Sequence, residues 1–146
     1  MYLDDRLRAE EQVWHDRLAT HSRRLAYDAC FEVPDTLRAI ARHNVSKIEA
    51  RVFSGMMPFA RLGIHRYLGM TPEAIERSRD ICREQLDAVG DLLSDGRPYL
   101  GGDRFTGWDL SFACFAAPLV LPAEYGAWLP PLEAFSERTQ TLVREM

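Results

Sequence analysis

The stretch Gly101-Gly102-Asp103-Arg104-Phe105-Thr106-Gly107-Trp108-Asp109-Leu110 constrains this chain more than any other. It reads as a tight turn feeding a helix. Thr106 stands at the N-cap and Asp109 at the third helical position. The Thr hydroxyl can accept from the Asp109 N–H while the carboxylate reaches back to the Thr106 N–H. A carboxylate there also suits the positive end of a helix. Phe105 and Leu110 hold the two positions of a hydrophobic staple. Ser111 to Leu121 is almost wholly apolar, which predicts a helix without a polar face in the middle of a bundle.

The remaining segments are helical in pattern. Residues 3 to 31 read as one long helix, with Leu7, Trp14, Leu18 and Leu25 on a narrow arc. A second row, Val13, Thr20, Arg24, Tyr27 and Phe31, lies about a third of a turn away. Val33-Pro34 interrupts this helix, because proline disfavours helical geometry in the residue before it. A short helix from Asp35 to His43 follows. Ser46 and Glu49 form a second capping box, opening a helix to Leu68 that Gly55, Pro58 and Gly63 should bend near Met56-Met57-Pro58, with Gly69 suited to the left-handed position at its end. Thr71-Pro72-Glu73 starts the next helix, with an inward stripe of Ile75, Cys82, Leu86, Val89 and Leu93. Pro118 should kink the central helix and Pro122 end it. Pro130-Pro131 should introduce a last amphipathic helix through Leu142. No segment alternates as a strand does. The expected fold is all-α, a single domain over residues 1–146 with five or six helices and short connections.

Composition narrows the function classes. With 18 basic and 22 acidic residues interspersed, no clustered basic face for nucleic acid stands out. No apolar run reaches the ~18 residues of a membrane span. Cys30, Cys82 and Cys114 lie far apart in helical patterns, which fits reduced, buried thiols in a cytoplasmic protein. The four histidines lack metal-ligand spacing, so no metal is expected. There is no phosphate loop and no Gly-x-Ser-x-Gly. Met56, Met57, Phe59 and Met70 read as core filling near a kinked helix, Tyr125, Trp128 and Phe135 as packing for the last helix, and Arg23-Arg24 as solvated.

The string Arg97-Pro98-Tyr99-Leu100 followed by residues 101–110 resembles the motif that opens the central helix of the glutathione S-transferase C-terminal domain. Ala117 to Pro122 and Tyr125 to Leu132 are similar to bacterial members of that superfamily. In the family the motif is structural, so Phe105, Thr106, Asp109 and Leu110 are assigned a capping role. The resemblance implies a substrate-binding helical half without catalytic residues of its own. The thioredoxin-like domain that activates the thiol has no counterpart here, and glutathione is implied only with such a partner domain. The family places an apolar wall for the electrophile on the first long helix, which points to Val13, Arg17, Thr20, Arg24 and Tyr27. Expected partners are a thioredoxin-like domain or a second copy in a homodimer, and a hydrophobic small molecule, with neither nucleic acid nor membrane. The alternative is a non-catalytic interaction or dimerisation module of the same fold.

Overall fold

The computed structural model describes residues 9, 12, 14–122 and 124–146. Leu7 and Val13 lie outside them. Among the described residues there are six α-helices and no strand, as expected. A π-helical turn, His15–Ala19, leads into α1 (Thr20–Glu32). Then come α2 (Pro34–Asn44), α3 (Lys47–Leu68), α4 (Pro72–Leu93), α5 (Gly107–Val120) and α6 (Glu137–Glu145).

The helix boundaries follow the chemistry of their caps. Ser46 and Glu49 close a reciprocal box at the start of α3, and Gly69 ends that helix at φ 55°. Thr71 Oγ1 accepts from the Ala74 N–H, with Pro72 at the first helical position of α4. The box at Thr106 and Asp109 also forms. One Asp109 oxygen accepts from the Thr106 N–H at 2.8 Å and from the Thr106 hydroxyl at 2.9 Å. The other accepts from the Leu100 N–H at 2.7 Å, so the carboxylate also pins the turn before the helix. In that turn Tyr99 and Gly102 exchange two backbone hydrogen bonds, and Gly102 takes φ 106°, which a side chain would strain.

The core lies where α1 meets α4 and α5. Leu18, Leu25, Ile75, Cys82 and Leu119 form one buried cluster. Val89, Leu100 and Trp108 form a second, against which Trp14 and Phe112 pack. The Trp14 ring sits 4.9 Å from Trp108 and 5.0 Å from Phe112, within the range of favourable aromatic pairs. Trp14, Leu18 and Leu25 are the arc that the periodicity singled out.

A polar seam joins α1 to α3 and α4. Arg24 is not solvated as expected. Its Nε donates to the Leu68 carbonyl at 2.8 Å and its Nη1 to the buried Ser78 hydroxyl at 2.7 Å. It thereby satisfies a carbonyl left open at the end of α3 and sets a cation at that helix's negative end. His21 Nδ1 lies 3.0 Å from the same hydroxyl. At the other end of α1, Arg138 bridges Asp28 and Glu32, while Ser136 and Thr139 also donate to Glu32. Burial raises the Asp28 carboxyl, the Arg138 guanidinium opposing it. For Glu32, burial pushes upward too, but the Ser136 and Arg138 hydrogen bonds outweigh it and the net direction is down.

Six expectations need correction. The helix α5 is not sequestered: it buries Trp108, Ala116 and Leu119, but Leu110, Cys114 and Val120 are exposed. A wholly apolar sequence does not say how much of a helix its own chain covers. Phe105, opposite Leu110 in the expected staple, is exposed as well and meets Tyr99 edge-on. Cys114 is therefore no buried thiol. Leu93 is exposed because α4 runs past the core at its end, and Ser78 and Gln85 join the buried stripe instead. Met56 and Phe59 are exposed on α3 and fill no core. The last helix starts at Glu137, capped by Ser136. The residues after Pro130-Pro131 make only a 3₁₀ turn, Leu132–Ala134.

Asp109→Ala removes three charge-assisted hydrogen bonds and should lower the unfolding free energy by about 2–4 kcal/mol in urea denaturation. Burial lowers the His21 pKa, with Arg24 and Arg77 adding to the effect. The unfolded chain then binds the proton more readily, so stability is present above the ordinary histidine pKa and lost as pH falls below it. The melting temperature should fall between pH 7.5 and 5, with a shallower slope in His21→Gln.

Candidate ligand cavity

An apolar cavity of about 420 Å³ lies between α1, α2, the end of α5, the following loop and α6. The local sequence explains the hollow. Ala26, Ala29 and Cys30 present small side chains at helical spacing on α1, so this face of the helix cannot fill the space beside it. Leu37 and Ile40 of α2 and Leu142 and Val143 of α6 form the facing walls. Leu119 and Pro118 close the floor. Leu121 takes φ 45°, a left-handed conformation uncommon for a branched residue, and turns the chain toward Pro122 and the loop.

The loop is tied down at two points on α2. The Asn44 side chain donates to the Trp128 carbonyl at 2.8 Å and accepts from the Trp128 N–H at 2.9 Å. The His43 and Trp128 rings stack with centroids 3.8 Å apart. At the other end of α2 the Thr36 hydroxyl donates to the Ala134 carbonyl at 3.1 Å. Tyr125, Ala127, Leu129 and Phe135 are thereby held over the cavity. Of the three aromatics expected to pack, Phe135 is buried, and Tyr125 and Trp128 keep part of their surface in solvent.

The lining holds no Asp, Glu, Lys, Arg or His. Its residues with polar side-chain groups are Asn44, already engaged with Trp128, Thr139, which donates to Glu32, Tyr27, Tyr125 and Cys30. Burial pushes the Cys30 thiol up to about 11, so it stays protonated near neutral pH and is a poor nucleophile. Cys82, buried in the core, is pushed up to about 12 for the same reason. Among the described residues no group of three or more His, Cys, Asp or Glu is placed to hold a metal ion. The cavity can take up an apolar molecule of matching size; it carries no acid, base or thiolate for chemistry on it.

Of the residues that sequence reasoning placed on the substrate wall, Tyr27 borders this cavity. Arg17 and Thr20 face solvent, Arg24 is engaged at the end of α3, and Val13 is outside the described residues. Tyr27 stacks on Phe31 at 5.7 Å, so the second row of the first helix turns toward α3 as it descends. The row that does line the cavity, Ala26-Ala29-Cys30, has small side chains and leaves little trace in hydrophobic periodicity. Its helical spacing was the one available signal.

No helix among the described residues is long and apolar enough to cross a membrane. No curated protein and no solved structure matches the chain. Residues 72–138, just under half of the chain, match the family model described as glutathione S-transferase, C-terminal domain. The match runs from the first turn of α4, through the pinned turn and capped α5, to the first turn of α6. Over residues 72–138 the all-helical chain is thus similar to a glutathione S-transferase C-terminal domain, and the match includes the Thr106–Asp109 cap.

Proposed function

We propose that the chain is the ligand-holding helical half of a glutathione transferase-like protein and is not catalytic by itself. The observation that carries this is the apolar cavity of about 420 Å³ with no Asp, Glu, Lys, Arg or His in its wall and no activated thiol. Pockets of this size and polarity take drug-sized hydrophobic molecules. Glutathione, which the family implies, does not fit it: its two carboxylates and ammonium group need charged partners, and the lining has none. Thiol activation would fall to a thioredoxin-like domain. Arg17 and Thr20, on the exposed side of the first helix, are candidates to face such a domain. A cytoplasmic location belongs to the same reading, since all three cysteines are free.

A second reading, a non-catalytic interaction or dimerisation module, is favoured by one observation. The outer side of α3 leaves Ile48, Met56, Phe59 and Leu62 exposed, and apolar patches of that kind mark contact surfaces.

The cavity reading predicts that an uncharged aryl or long-chain probe raises the melting temperature, while glutathione leaves it unchanged. Ala29→Leu should fill the hollow and abolish the shift by the probe with the helical spectrum intact. With glutathione and an aryl halide the purified chain should show no turnover above the uncatalysed rate. Turnover would overturn the non-catalytic half of the proposal, and an unmoved melting curve the ligand-holding half.

A further inference from the structure

The helix α2 stands between two hollows. On one side is the ligand cavity. On the other is an apolar groove of about 590 Å³ between α2 and α3, walled on α3 by Val52, Phe53 and Met56 among others. Leu37, Ile40 and Asn44 border both hollows. The ties that place α2 all lie on the cavity side. The Thr36 hydroxyl donates to the Ala134 carbonyl, Asn44 exchanges two hydrogen bonds with Trp128, and His43 stacks on the Trp128 ring. Among the described residues no hydrogen bond, ion pair or ring contact joins α2 to α3. Only Thr36 and Ala41 of the α2 residues are buried, and the helix is jointed at both ends by non-helical residues, Val33 and Val45.

A close-packed interior resists the displacement of a helix, because moving it forces overlaps on one side and voids on the other. Here the groove already holds the space that a tilt of α2 toward α3 needs, and a bound molecule would fill the space left behind. Leu37 and Ile40 would pass from one apolar hollow into another. Hydrophobic energy is non-directional, so that exchange changes it little. The ties to Trp128 and Ala134 are what the tilt works against.

We propose that α2 is the adjustable wall of the cavity: it tilts into the groove to admit apolar molecules larger than the resting hollow. Val52, across the groove and outside the cavity, then limits the tilt and sets the largest ligand accepted. The proposal rests on the ligand-holding reading above and adds the ligand class to it, uncharged apolar molecules graded in size rather than one fixed shape.

The first test needs no ligand. In a Cys114→Ser chain, uncharged N-ethylmaleimide labels Cys30 in the cavity wall, while Cys82, fully buried in the core, reports global unfolding. Asn44→Ala releases α2 from Trp128 and should speed Cys30 labelling about tenfold. Val52→Trp, at a position 56% exposed, occupies the groove and should slow it several-fold, with Cys82 slow throughout. Equal Cys30 rates in the three proteins, or Cys30 reacting only as fast as Cys82, would overturn the proposal. Faster labelling in Asn44→Ala with Val52→Trp unchanged would put the motion in the Trp128 loop and overturn it as well. The second test follows the melting temperature with primary alcohols from hexanol to tetradecanol. The wild-type shift should grow along the series. Val52→Trp should keep the hexanol shift and bind tetradecanol about tenfold more weakly. A series that ends at the same length in both proteins would refute the size limit at Val52. Alcohols that move neither melting curve would defeat the ligand-holding reading, while the labelling rates still decide whether α2 moves.

Discussion

The Asp109 carboxylate holds three donors from two stretches of chain: the N–H and hydroxyl of Thr106 and the N–H of Leu100. The turn before α5 and the first turn of α5 are therefore fixed relative to each other. That matters because α5 has no polar stripe to orient it. A helix apolar on every side can rotate about its axis with little change in hydrophobic energy, since that energy is non-directional. The cap removes this freedom. It sets Trp108 against Trp14 and Val89, and Leu119 then arrives at the floor of the cavity.

At the other end of α5 the backbone itself makes the turn. Leu121 in the left-handed region and Pro122 after it send the chain over the cavity, where Asn44 and His43 catch Trp128. The cavity owes its shape to these anchors as much as to its lining. Without them the loop would be free to collapse into the apolar space. The polar seam plays the same part on the far side of α1, where Arg24 fastens the end of α3 and lets that helix extend away from the core.

The outward extension of α3 and the exposed side of α5 share a cause. Both sequences are richer in apolar residues than the faces they bury within this chain. A helix of 22 residues is about 33 Å long, and α3 packs on α2 and α1 but leaves Ile48, Phe59 and Leu62 largely in solvent. The surplus apolar surface accounts for the second reading of the molecule as a contact module, just as the small-residue face of α1 accounts for the first as a ligand holder.

Local chemistry was legible in the sequence because it acts over three or four residues. The boxes at Ser46–Glu49 and Thr106–Asp109, the cap at Thr71, the left-handed Gly69, the break at Val33-Pro34 and the all-helical class all follow from neighbours along the chain. So does the inward arc of Trp14, Leu18 and Leu25. The site was far less legible. Tyr27, named for a substrate wall, borders the cavity; Ala26, Ala29 and Cys30 were not named, because a hollow is made by what small side chains leave empty. Arg24 looked solvated because its partners, Leu68 and Ser78, lie more than forty residues away. Met56, Phe59, Leu110 and Cys114 looked buried because composition records how apolar a segment is. Which of its sides the chain covers is decided only when helices distant in sequence take their places against it.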